Sequence, residues 1–276
     1  MMKNRQPIQD RFRGKAAIVT GGANGIGKAI VEELCREGAC VTIADLDSTG
    51  ENVVEELTAA GCQALFVQGN LAEEAYCKEV VARTLAQWGR VDYLVNNAFS
   101  FTAKGLDATR DDWERSFMVG PVAYANMTRF ASEAMKAQGG GAIVNMSSIS
   151  AFIAQPNRWT YNAAKGAVHN LTKCIAFDLA PYNIRVNSVS PGWIWTREVL
   201  KAADIDGGGR EKWDPVWGEF HMLRRCGEPV EVAGATLFLL SEDAAFITAT
   251  DLAVDGGYMG MGPEGLGKQT RLAGSK

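Results

Sequence analysis

Four glycines fall within the seven positions Gly21 to Gly27, in the stretch TGGANGIG between an apolar run and the start of a helical pattern. Glycine loses more conformational freedom on folding than any other residue, so a cluster in an ordered region needs a local reason. A loop that leaves a strand, turns sharply and opens a helix supplies one. Gly21 permits the turn, Gly25 lets the backbone approach a pyrophosphate, and Gly27 lets the helix pack closely. The unpaired N–H groups and the positive dipole end of that helix then face the anion.

The surrounding pattern is regular. Apolar runs at 16–20, 40–44, 64–68, 93–96, 142–147, 185–190 and 252–255 read as buried parallel strands. Helical patterns lie between them at 26–37, 48–60, 73–88, 110–137, 159–180 and 229–241. This alternation predicts an α/β fold: a single doubly wound, Rossmann-type parallel sheet of about seven strands with helices on both faces. With 276 residues, 47% of them hydrophobic, the chain can bury a full core. No linker or repeat interrupts 12–258, which reads as one dinucleotide-binding catalytic domain. Residues 1–11 read as a flexible lead, and 259–276 as a Gly-rich tail that could reach a neighbouring subunit. The segment 193–227 breaks the rhythm with four of the seven tryptophans and a DGGGR turn. Its place at the carboxyl edge of the sheet suits a substrate lid, or a long loop whose tryptophans pad the core or a subunit contact.

Several classes of function are disfavoured. A net charge of −4 gives no concentration of cations for nucleic-acid phosphates. No apolar run reaches the roughly 18 residues of a membrane span, and the polar N-terminus has no apolar signal core, so a soluble cytoplasmic protein is expected. Six scattered cysteines without a CxxC pair read as reduced thiols. Two histidines, His169 and His221, exclude a three-His zinc site, and no metal is expected.

Asp45, in VTIADLD, falls about 20 residues beyond the glycine loop at the tip of the second strand. A carboxylate there accepts hydrogen bonds from both adenine-ribose hydroxyls and repels a 2′-phosphate. With no Lys or Arg in GGAN or just after Asp45, the expected cofactor is NAD rather than NADP.

Further motifs follow in order: NNA at 96–98, SS at 147–148, YNAAK at 161–165 and PGWIWT at 191–196. Together with the glycine loop these resemble the short-chain dehydrogenase/reductase family from about residue 12 to 258. The resemblance implies Ser148, Tyr161 and Lys165 as catalytic residues. It implies cofactor contacts from Gly21, Asn24, Gly25, Ile26 and Gly27 in the loop, and from Asp45 and Leu46 beside the ribose. Asn70 and Leu71 would lie against adenine, with Asn97 and Ala98 on the adenosine side. Pro191, Gly192, Ile194 and Thr196 would lie near the carboxamide and phosphates, and Tyr161 and Lys165 near the nicotinamide ribose. It also implies a small-molecule substrate and a homotetramer built as a dimer of dimers.

Tyr161 and Lys165 stand four apart on a helix and share a face. A free phenol titrates near 10, which makes it a poor base at neutral pH. A cation about 4 Å away, at an effective dielectric of 20, is worth roughly 4 kcal/mol, or about three pKa units towards neutrality. Ser148 is then expected to position the substrate oxygen, with Ser147 serving the backbone turn.

The sequence departs from the family pattern where a helix asparagine usually binds a water that leads protons away from the lysine. Seven residues after Trp113 stands Gly120, followed by Pro121, which should kink the helix. Phe99 and Ala249 replace two usual glycines. A working NAD-dependent alcohol dehydrogenase is expected, and the alternative is a catalytically impaired NAD-binding sensor or scaffold. Phe99, Phe101, Phe152, Trp159, Trp193, Trp213 and Trp217 suggest a pocket with aromatic walls, to which Ser150 and Arg158 are added. Such a pocket suits a cyclic alcohol, a sugar or polyol, or a carboxylated diol held by Arg158.

Overall fold

The computed structural model describes residues 5–262 and Gly265. Within them the chain runs β1 (Ala16–Thr20), α1 (Gly25–Arg36), β2 (Cys40–Asp45), α2 (Gly50–Ala59), β3 (Gln63–Gln68), α3 (Glu74–Trp88) and β4 (Tyr93–Asn96). It continues through α4 (Arg110–Phe117), α5 (Ala123–Ala137), β5 (Gly141–Met146), α6 (Trp159–Leu179) and β6 (Ile184–Pro191). The last elements are α7 (Arg197–Ile205), α8 (Gly209–Gly218), α9 (Pro229–Leu240) and β7 (Asp251–Val254).

The seven strands form one sheet in the order β3-β2-β1-β4-β5-β6-β7, and every pairing is parallel. Each run predicted from apolar composition is a strand, with ends displaced by no more than one residue. Successive side chains of a strand serve opposite faces. Ala17, Val19, Tyr93, Val95, Ala142 and Val144 pack with α1, α2 and α9, whereas Ile18, Leu94, Ile143 and Val186 pack with α3, α5 and α6. Both faces are therefore covered, which is why the strands read as continuous apolar runs rather than alternating ones. The chain winds outward from β1 to β3 and then returns to β1's other side to begin β4, with Val19 flanked by Ile43 and Val95. That reversal parts the carboxyl ends of β1 and β4 and opens the crevice in which doubly wound sheets bind ligands.

The helix read as 110–137 is broken at the predicted place. Met118–Val122 winds as a π-helical turn, with Val119 and Gly120 out of helical geometry and Pro121 inside it. Proline lacks the amide hydrogen and its ring opposes the carbonyl four residues back, so a wider turn replaces a regular one. The segment 193–227, read without internal structure, carries α7 and α8, joined through Gly207 and Gly208 at positive φ. Trp195, Ala203, Trp217 and Cys226 form a small core of its own.

The expected flexible lead is described from residue 5 onward, and there it is fastened to α1. Arg5 pairs with Glu33 and Glu37, and Arg11 pairs with Glu37. Residues 1–4, and the tail beyond 262 apart from Gly265, lie outside the described residues, and with them the reading of the tail as a reach towards a neighbour. Among the described residues no helix is long and apolar enough to cross a membrane.

Candidate active site

A cleft of about 680 Å³ opens along the carboxyl ends of the strands. Its floor is the glycine loop. Gly21 (φ +67°) holds the turn, and a Cβ there would lie 2.8 Å from the Ala98 Cα, so the loop packs directly on the end of β4. Asn97 fixes that contact, its side-chain amide donating to the carbonyls of Thr20 (3.0 Å) and Gly21 (3.1 Å). Gly27 does not line the cleft. A Cβ on it would stand 1.9 Å from the Gly21 oxygen, so it packs helix against loop rather than touching a ligand.

The N-terminus of α1 is left for an anion. Asn24 stands at the cap but does not bond back to the helix, and no acidic residue occupies the first turn. Its amide instead donates to Asp47 (3.1 Å). First-turn N–H groups without a protein cap are what a pyrophosphate requires, so the residues present fit a dinucleotide.

At the end of the cleft expected to take adenosine, Asp45 accepts from the backbone N–H of Ala23 (2.9 Å) and of Asp47 (3.0 Å), one on each oxygen. Each oxygen keeps a lone pair, enough for two ribose hydroxyls. Leu46, Asn70 and Leu71 line the same end. The Asn70 amide oxygen accepts from Ala72 N–H (3.0 Å) in a local turn and keeps a second lone pair. A cation also stands here that local sequence did not reveal. Arg197, 150 residues away at the start of α7, pairs with Asp47 at 3.0 Å. Hydrogen bonds from Thr49 and Arg197 hold the Asp47 carboxyl at about 2.

Ser148, Tyr161 and Lys165 meet at the other end of the cleft. Ser148 follows β5, and Tyr161 and Lys165 lie one turn apart on α6. The Ser148 hydroxyl favours the ionised form of the Tyr161 phenol and accepts from Ser150 N–H (3.1 Å). The Lys165 ammonium is buried and donates to the Met146 carbonyl at 2.8 Å. It also sits over the Phe99 ring, 4.3 Å from the centroid, and 5.8 Å from the centre of the Tyr161 ring. Burial pulls this ammonium down to about 7. Burial pushes the Tyr161 phenol up from its ordinary value, against the Ser148 hydrogen bond and the charge of Arg158. The expected lowering of the phenol is thus corrected: its burial outweighs the groups that favour its ionised form, the Ser148 hydroxyl and Arg158. Burial thus favours the neutral form of both groups.

The pocket walls are partly as expected. Phe99, Phe101, Ser150, Arg158 and Trp193 line the cleft. Phe99 stands perpendicular to Tyr161, with centroids 5.3 Å apart, and Phe101 lies 4.9 Å from it. The Arg158 guanidinium lies between Phe101 (5.7 Å) and Trp193 (5.8 Å). Trp213 and Trp217 do not reach the cleft. They stack on each other at 5.0 Å inside the 193–227 segment, because α8 turns its apolar face onto α7 and Trp195. Phe152 packs on His169, and Trp159 is half exposed; neither lines the cleft. His221 is structural, with ring nitrogens at 3.2 Å from Trp193 N–H and from the Trp217 carbonyl. Asn96 turns inward, its amide bonding Asn145 (2.9 Å) and Thr128. Ser147 ties β5 to α6 through the Lys165 carbonyl.

A sequence profile of the family described as enoyl-(acyl carrier protein) reductase matches residues 21–259. The chain is 38% identical over 250 residues to the cyclopentanol dehydrogenase of Comamonas sp. (strain NCIMB 9872), covering 90% of this chain and 98% of that one. It is 36% identical over 258 residues to the trans-4-hydroxycyclohexanecarboxylate dehydrogenase of Sinomonas cyclohexanicum, covering 91% and 95%. Among solved structures, the 7α-hydroxysteroid dehydrogenase complexed with NADH and 7-oxoglycochenodeoxycholic acid superposes with a TM-score of 0.84 at 30% identity, covering 90% and 95%.

The buried ammonium should register in stability. An unfolded lysine keeps its proton to about 10.5, whereas folded Lys165 releases it near 7. Between those values the unfolded chain binds more protons, so this group's contribution to stability rises with pH across the window and is lowest below it. Lys165→Met is expected to melt above the parent at about pH 6, with the difference closing as pH approaches about 10. Thermal melts at the two pH values check this. A variant less stable than the parent at the lower pH would mean that the ammonium's contacts outweigh its desolvation.

Proposed function

The chain belongs to the short-chain dehydrogenase/reductase family, and on that premise we propose that it is an NAD-dependent oxidoreductase interconverting a cyclic secondary alcohol and its ketone. The observation that carries this reading is the convergence of Ser148, Tyr161 and Lys165 at one end of a cleft whose other end offers Asp45 and an uncapped helix. Bound there, the nicotinamide supplies the acceptor or donor of hydride.

The protein's own residues handle the proton and the substrate oxygen. Ser148 holds that oxygen beside the phenol, and Tyr161 takes the hydroxyl proton in oxidation or returns one in reduction. Lys165 stabilises the phenolate and, through its remaining N–H groups, is placed for ribose hydroxyls. A fully protonated pair cannot accept the proton, so oxidation rises with pH through the range in which the Tyr161–Lys165 pair loses its first proton. Reduction, which consumes a proton from the phenol, is favoured on the acid side.

NAD is favoured over NADP by the Asp45 carboxylate, and Arg197 does not oppose this because Asp47 holds it. Asp45→Ala is expected to raise KM for NAD roughly tenfold or more, by loss of charge-assisted hydrogen bonds, and to relieve the exclusion of NADP. Initial rates with both dinucleotides test it; an unchanged preference would contradict the cofactor assignment. A panel of cyclic secondary alcohols tests the activity itself, and tight NAD binding with no reduction by any alcohol would favour the sensor reading.

Arg158 narrows the substrate. Its guanidinium stands in the cleft over two aromatic faces, close enough to the phenol to act on its ionisation. The relative from Sinomonas cyclohexanicum is named for a hydroxylated cyclohexane carboxylate. We infer that a carboxylated cyclic alcohol is the preferred class. Arg158→Ala is expected to raise KM for such a substrate roughly 10- to 100-fold, the worth of one charge-assisted pair, and to leave KM for cyclopentanol nearly unchanged. The same change should lower kcat for both, because the guanidinium also favours the ionised phenol. Equal effects on KM for acidic and neutral alcohols would remove the carboxylate from the reading.

A further inference from the structure

Lys165 is the most deeply buried charge at the site, and protein gives its ammonium one hydrogen-bond acceptor, the Met146 carbonyl at 2.8 Å. Two rings also neighbour it, Tyr161 with its centroid at 5.8 Å and, nearer, Phe99. The Phe99 centroid lies 4.3 Å from Nζ, within the range in which an aromatic face attracts a cation, most strongly where water is excluded. The same ring stands at 90° to Tyr161. Phe99 therefore touches both members of the pair that must exchange charge.

The room for this ring comes from an unusual place. A Cβ built on Gly120 would lie 2.8 Å from Phe99 Cε2 and 3.3 Å from Cδ2. A side chain at 120 would fit only if the Phe99 ring or the turn itself shifted. Gly120 lies in the π-helical turn that Pro121 imposes, so the break in the helix and the aromatic residue after β4 are two halves of one arrangement.

We propose that Phe99 is a positioning residue for the Lys165–Tyr161 pair, holding the ammonium against its face in a slot that Gly120 keeps open. The inference rests on the dehydrogenase reading and goes beyond it, since it assigns to an apolar wall residue a part in keeping Lys165 charged. The charged and titratable groups around the pair are Arg158 from the loop before α6 and Tyr124 from α5, both of which act on or respond to Tyr161. Neither touches the Phe99 face.

The test compares Phe99→Leu, which removes the π-face, with Phe99→Tyr, which retains it. Both are assayed for NAD-dependent oxidation of a cyclic alcohol that the parent turns over, across a pH series. A cation–π contact is worth about 0.5 to 2 kcal/mol, so kcat of Phe99→Leu should fall between about 2- and 30-fold. Its acid limb should move to lower pH by up to about 1.5 units, because the ammonium gives up its proton sooner. KM for NAD should stay as in the parent, and Phe99→Tyr should restore both kcat and the limb. Gly120→Ala should mimic Phe99→Leu in the parent and add little in the Phe99→Leu background. An NAD-induced rise in melting temperature shows that each variant is folded. An active parent whose Phe99→Leu variant keeps the parental acid limb overturns the proposal, as does Gly120→Ala having the same effect in both backgrounds. An inactive parent overturns the dehydrogenase reading itself.

Discussion

The site is organised around a positive charge held where water is scarce. Lys165 sits at 3% exposure against the Met146 carbonyl and the rings of Phe99 and Tyr161. Burial of an ammonium is unfavourable, and its pKa near neutrality records this. The same desolvation strengthens whatever the ammonium does to the adjacent phenol. In isolation each group resists ionisation: the lysine tends to lose its proton and the tyrosine to keep its own. The pair becomes competent when one proton has left and the charge separation between them is supported by surrounding groups, among them the Ser148 hydroxyl and the guanidinium of Arg158.

The fold delivers these groups by simple means. Ser148 and Met146 come from the end of β5, and Tyr161 and Lys165 from α6, which packs on the sheet beside it. The glycine loop places α1's uncapped end at the reversal between β1 and β4. The dinucleotide end and the reacting end are thereby fixed by neighbouring strands of one rigid sheet. The segment 193–227 completes the wall, with Trp193 in the cleft and Trp217 behind it in a small core.

Much of this was legible in the sequence because its physical causes are local. Strands buried on both faces leave continuous apolar runs, and the glycine loop, Asp45 and the Tyr161–Lys165 spacing are short-range patterns. What sequence did not disclose depended on long-range packing. Arg197 reaches Asp47 across 150 residues. The direction in which Trp213 and Trp217 face followed from two helices that the glycine-rich, polar composition of the segment concealed. The absence of a helix asparagine at Gly120 was visible as a loss, whereas the packing of Phe99 against that glycine needed three-dimensional contact to be seen. The ionisation of the Tyr161–Lys165 pair was hidden for a similar reason. Spacing on a helix reveals the attraction between the two groups, but the desolvation that opposes it comes from β5, Phe99 and the rest of the surrounding fold.

The account is tested most directly by removing one oxygen atom. Tyr161→Phe keeps the ring against Phe99 and Phe101 and deletes the group that moves the proton. NAD binding, followed by fluorescence titration, should be preserved, while NADH formation from a cyclic secondary alcohol should fall by about 10²- to 10⁴-fold, the usual weight of a general acid–base. Undiminished turnover by this variant would contradict the account.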